Sequence, residues 1–86
     1  MKTLSTLAAS AALLFSTAAF AAPVNINTAS AEEIAEALNG IGPSKAQAIV
    51  DYREAYGEFS RADEIVFVRG IGTSTYENNK ADILVE

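Results

Sequence analysis

Eighty-six residues, half of them apolar, carry six basic and eleven acidic side chains for a formal charge of −5. That length allows one small domain and no deep enzyme cleft. The absence of Cys and His excludes a disulfide framework, a thiolate metal site and the commonest general base, so neither catalysis nor a cofactor is expected.

The chain opens like an export signal. Met1-Lys2-Thr3 is a short basic start, and Leu4 to Ala19 is apolar apart from Ser5, Thr6, Ser10, Ser16 and Thr17. Ala19-Phe20-Ala21 fits the small-x-small pattern of a signal-peptidase site. Residues 1–21 therefore read as a signal peptide cleaved after Ala21, with an uncleaved anchor as the competing reading. Cleavage leaves residues 22–86, and loss of Lys2 takes the formal charge to −6. No later apolar run approaches the roughly 20 residues that a bilayer span needs, so the exported chain carries no membrane span.

Val24-Asn25-Ile26-Asn27 reads as an extended segment. Ser30 followed by Glu33 is a capping-box pattern, and it opens a short helix with Ile34 and Leu38 on one face. Gly40-Ile41-Gly42 forms a turn, at residues 39–43. A second helix starts at Pro43, where a missing N–H costs nothing in the first turn. Its stripe is Ala46, Ile49 and Val50, with Tyr52 and Tyr56 at the edge, and Gly57 is placed to end it in a left-handed conformation. Arg53 falls where the stripe predicts an apolar residue. Its stem is expected to cover the core edge while the guanidinium reaches water or an acid.

The grammar then repeats at an offset of 30 residues. Ser60 and Asp63 mark a weaker helix start, followed by Ile65, Val66 and Val68. Gly70-Ile71-Gly72 makes the second turn, at residues 69–73. The last helix runs from Thr73 to about Asp82, with Tyr76 as its main apolar contact; Asn78 and Asn79 are poor helix formers. Ile83-Leu84-Val85 is again extended. Residues 22–86 are thus expected to be one all-α domain of four short helices, with Ser30 matching Ser60, Leu38 matching Val68, and Ser44 matching Ser74.

A glycine pair supplies the positive φ that a tight interhelical turn demands, while the intervening Ile41 or Ile71 points back into the core. The next helix then begins at the surface, with the first-turn N–H groups of Gly42, Ser44 and Lys45 facing outward. Those donors and the helix dipole suit an anion, and Ser44 and Lys45 add a hydroxyl and a full charge. A compact turn with no ligand is the alternative. Two copies at one spacing fit the two strands of a duplex, where phosphate contacts fix position without reading sequence.

The segments Val24-Asn25-Ile26-Asn27-Thr28-Ala29-Ser30-Ala31-Glu32-Glu33, Gly40-Ile41-Gly42-Pro43-Ser44-Lys45-Ala46 and Asp51-Tyr52-Arg53-Glu54 closely resemble the ComEA family of competence proteins, over about residues 24–85. The resemblance implies a tandem helix-hairpin-helix domain, SAM-domain-like in fold. It also implies sequence-independent binding of double-stranded DNA and a role in DNA uptake during natural transformation. Relatives with a cleaved signal peptide are periplasmic, and partners in the uptake machinery are implied as well. By position, the DNA-contacting candidates are Gly40, Ile41, Gly42, Ser44 and Lys45 in the first hairpin. In the second they are Arg69, Gly70, Ile71, Gly72, Thr73 and Ser74. The second hairpin departs from the family, which places lysines along its second helix; here Thr73, Ser74, Thr75, Glu77, Asn78 and Asn79 precede Lys80. With a charge of −6 as well, weak binding is expected.

Lys45, Arg61 and Arg69 form a sparse basic face or pair with Glu58, Asp63 or Glu64. Tyr52, Tyr56 and Phe67 have the spacing of core residues rather than of a base-stacking platform. Glu32, Glu33 and Glu36 read as a solvated face at a helix start, favoured there by the dipole. A protein-interaction module of the same fold, suited by its acidic surface to a basic partner, is the alternative function.

Overall fold

The computed structural model describes residues 23–86, so the signal peptide assigned to residues 1–21 lies outside the described residues. The element order is β1 (Val24–Asn25), α1 (Ala31–Ala37), α2 (Pro43–Tyr56), a 3-10 helix (Ala62–Phe67), α3 (Thr73–Asn79), a short 3-10 turn (Lys80–Asp82) and β2 (Ile83–Leu84). Three α-helices and one 3-10 helix are the four expected. The two extended ends pair as a minimal parallel sheet, Val24 opposite Ile83 and Asn25 opposite Leu84. They close the domain by joining its beginning to its end.

The first helix starts as its sequence dictates. Ser30 Oγ accepts from the Glu33 N–H at 3.1 Å, and the Glu33 carboxylate accepts from the Ser30 N–H at 3.0 Å. The matching start in the second half does not form. Ser60 N–H donates instead to the Glu64 carboxylate at 2.9 Å, the cap position is Arg61, and the element is a 3-10 helix. Residue spacing is compatible with this. Ile34 and Leu38 are four apart, one α-helical turn, whereas the buried pair Ile65 and Val68 is three apart. A 3-10 helix, at three residues per turn, stacks such a pair on one face.

Ile26, Ile34, Ala46, Ile49 and Ile65 have no exposed surface, and Leu38, Ile41, Phe59, Val68 and Ile71 join them in one core. Each fully buried Ile contributes about 1.5–3 kcal/mol through removal of its surface from water. The helix edge is wetter than its spacing predicts: Tyr56 and Phe67 are exposed, and only Tyr52 is half-buried against the core. Phe67 is two residues past Ile65, about 240° around a 3-10 helix, which turns it away from the buried face.

Three polar side chains stitch distant segments together. Arg53 meets backbone carbonyls rather than an acid; its Nη1 donates to the carbonyls of Ile26 at 2.8 Å and Ala29 at 2.7 Å. These bonds tie α2 to the loop after β1. Asn27 uses its amide to accept from the Phe59 N–H at 2.8 Å and to donate to the Phe59 carbonyl at 3.0 Å. Asn79 does the same for Asn39, at 2.8 Å in both directions, and also donates to the Thr75 carbonyl. Asn79, a poor helix former, is thus the buried polar residue that ends α3.

Candidate nucleic-acid interface

The repeat in sequence is a repeat in backbone geometry. Leu38 and Val68 leave their helices in extended conformation, at φ −111° and −76°. Gly40 and Gly70 follow at φ +78° and +89°, the positive-φ half of the map that only glycine enters freely. The second glycines differ from the sequence expectation of a positive-φ pair. Gly42 and Gly72 are extended, at φ −82° and −102°, and each is the N-cap of the following helix. Only the first glycine of each hairpin is therefore required by backbone conformation. Gly57, which ends α2, is also at positive φ (+96°), but its ψ of 176° is extended rather than left-handed helical.

Ile41 and Ile71 are buried and pin the two turns to the core. Their side chains lie in the core, and the Ile71 N–H is already given to the Val68 carbonyl at 3.1 Å. Gly40, Gly42, Ser44 and Lys45 are exposed on one hairpin, and Arg69, Gly70, Gly72, Thr73 and Ser74 on the other. Nothing lies within 4 Å of the Cβ direction at Gly40, Gly42 or Gly72. The outer face of both turns is open.

The starts of the α-helices after the two hairpins differ from the start of α1. Of the three α-helices, α1 has its first-turn donors met by a reciprocal capping box. Neither α2 nor α3 has a side-chain cap at its N-terminus. The first-turn N–H groups that an α-helix cannot satisfy internally are left there for an outside acceptor. At α2, a helix of 14 residues, the dipole adds partial positive charge at the same point. At α3, seven residues long, the donors are present but the dipole is short.

The cations sort themselves accordingly. Arg61 pairs with Asp63 at 3.0 Å, and that side-chain hydrogen bond raises its pKa. Lys80 pairs with Glu77 at 3.0 Å, which raises Lys80 likewise. Arg53 is spent on backbone carbonyls. Lys45 and Arg69, the two that flank the hairpins, make no ion pair among the described residues. Of the basic face read from the sequence, Arg61 takes the paired alternative.

The two turns also touch. A Cβ at Gly70 would meet the Lys45 stem, with Cε at 3.6 Å and Cγ at 3.7 Å. The lysine of the first hairpin thus lies across the turn of the second. Sequence comparison of the halves gave no hint of this, because the position matching Lys45 in the second half is Thr75.

The helix-hairpin-helix motif family matches residues 20–84. Among similar proteins, one from Haemophilus influenzae is 51% identical over 61 residues, which cover 71% of this chain and 54% of that protein. ComE operon protein 1 of Bacillus subtilis is 48% identical over 63 residues, 73% of this chain and 30% of its own length. Endonuclease/exonuclease/phosphatase family domain-containing protein 1 of Homo sapiens is 39% identical over 62 residues, 72% of this chain but 11% of that protein. The matched region thus spans about half of the first of these relatives and less than a third of the second. With both hairpins inside the matched region, the chain belongs to the helix-hairpin-helix family and is ComEA-like.

Proposed function

We propose that this protein is a non-enzymatic, sequence-independent binder of double-stranded DNA, acting from the periplasm in DNA uptake during natural transformation. One observation carries the binding reading: among the described residues, the two α-helices that start without a side-chain cap are the two that follow Gly-Ile-Gly, and Lys45 and Arg69, the cations held by neither a carboxylate nor a carbonyl, stand beside them. N–H donors and a dipole take a phosphate oxygen without regard to the base it belongs to. Gly40, Gly42, Ser44 and Lys45 hold one strand, and Gly70, Gly72, Thr73 and Ser74 the other, with Arg69 at the edge. Similarity to ComE operon protein 1 supports the role in competence, and the signal-like sequence of residues 1–21 supports export.

No helix among the described residues is long and apolar enough to cross a membrane. The test is a mobility shift at low salt with duplexes of equal length and random sequence. Equal shifts for all of them are expected; the absence of any shift overturns the reading. Intact mass of protein recovered from a periplasmic extract, lacking Met1 to Ala21, tests the export step.

A further inference from the structure

Tyr56 and Phe67 are large aromatic side chains left outside the core, 75% and 63% exposed. Both line one groove of about 360 Å³ between α2 and the 3-10 helix, kept open by the small side chains of Ala48 and Ala55. Asp51 lines the α2 side, and Arg69 the end next to the second hairpin. Tyr56 is the outermost of three rings that begin in the core. Buried Phe59 stacks on Tyr52 with centroids 5.3 Å apart, and Tyr52 lies 4.7 Å from Tyr56. That column holds Tyr56 in place from behind.

Aromatic faces, a cation without an ion pair at one end and a carboxylate along the side describe a specific guest. We propose that this groove takes an unpaired nucleobase, from a strand whose phosphate is held at Arg69 and the second hairpin. The placement is continuous with that hairpin, because Arg69 immediately precedes Gly70. Tyr56 and Phe67 supply stacking surface, which every base satisfies through its π-face. Arg69 complements the phosphate. Asp51 sets a preference: its Oδ1 accepts from Gln47 Nε2 at 3.0 Å, which leaves Oδ2 for a further donor. Cytosine and adenine carry an exocyclic amino donor, and thymine does not. The groove therefore favours cytosine over thymine, two bases of similar size. On this reading, which rests on the duplex grip proposed above, the protein holds frayed or single-stranded ends in addition to paired DNA.

The experiment uses protein purified after expression of the full chain, with a blunt duplex and the same duplex carrying three-nucleotide single-stranded extensions. Cytidine extensions are expected to tighten binding about five- to tenfold over the blunt form, thymidine extensions less, and abasic extensions hardly at all. Tyr56→Ser and Phe67→Ser, both at exposed positions, remove the gain and leave blunt-duplex affinity unchanged. Asp51→Ala abolishes the difference between cytidine and thymidine. A cytidine pentamer and an abasic pentamer are compared in parallel by tyrosine fluorescence, which reports cleanly in a chain without Trp. If blunt duplex is not bound but the cytidine pentamer is preferred, the duplex reading fails and the groove stands. If extensions with and without bases bind alike, the groove is not a base site. If the parent protein self-associates and Tyr56→Ser or Phe67→Ser abolishes this with no base effect, the proposal is likewise overturned in favour of a protein contact.

Discussion

Lys45 stands in the first turn of α2, yet its stem lies across Gly70, with Cε 3.6 Å from where a Cβ there would be. A cation that belongs to the first hairpin by sequence is therefore also beside the second. The second hairpin lacks its own lysine, having Thr75 at the matching position, and this contact brings one close. Glycine at position 70 is required by its positive φ; a Cβ there would meet the lysine stem only at ordinary van der Waals distance.

Lys45 is accordingly the most consequential single side chain for binding. Charge-assisted hydrogen bonds are about twice as strong as neutral ones. Lys45→Glu removes an attraction and adds a repulsion, so it weakens duplex binding by about 1–3 kcal/mol. Ser74→Glu costs less, and Ser74→Lys tightens binding toward the family pattern. Titration by fluorescence anisotropy, with circular dichroism on each variant to show the fold retained, checks the order.

Salt dependence counts the cations at work. Arg61 and Lys80 are held by carboxylates and Arg53 by carbonyls, which leaves Lys45 and Arg69 to neutralise phosphates. Two such contacts give a slope of log K against log salt of about −2 on duplex DNA. Affinities measured across a range of salt concentrations yield the slope directly. A value near −8 places the binding surface elsewhere.

Asn79 couples the last helix to the first hairpin through both backbone groups of Asn39. Asn79→Ala removes both bonds to exposed Asn39 and the bond to the Thr75 carbonyl, and is expected to cost about 2–4 kcal/mol, as three lost hydrogen bonds. Urea denaturation measures the loss. Binding at a fixed, fully folded concentration should fall as well, because the turn at residues 39–43 loses its anchor.

What the sequence disclosed was what is local. The capping box at Ser30, the twin Gly-Ile-Gly turns and the start at Pro43 depend on residues within a few positions of each other, and their types carry the geometry. The 3-10 character of the third helix was not readable: Ser60 and Asp63 imitate an α-helix start, and Ile65 and Val68, three apart, fit the face of an α-helix as well. Arg53, Asn27 and Asn79 were not readable in their roles. Their partners lie 24 to 40 residues away, and nothing in a neighbouring residue marks a side chain that will meet a distant carbonyl. The Lys45 contact with Gly70 is hidden in the same way. It depends on how the two halves dock, whereas their alignment pairs Lys45 with Thr75.

The central claim is that the uncapped starts of α2 and α3 are kept for a phosphate. Gly42 and Gly72 have extended backbones and open space at the Cβ direction, so serine fits at both. A serine N-cap would accept the first-turn N–H groups itself and stabilise each helix by a few tenths of a kcal/mol over glycine. The decisive measurement is the Gly42→Ser, Gly72→Ser double variant, with unfolding free energy and duplex affinity determined on one preparation. Stability at or slightly above the parent, together with at least fivefold weaker DNA binding, is the result predicted. A variant that is equally or more stable and binds duplex unchanged would contradict it, and the turns would then be structural only.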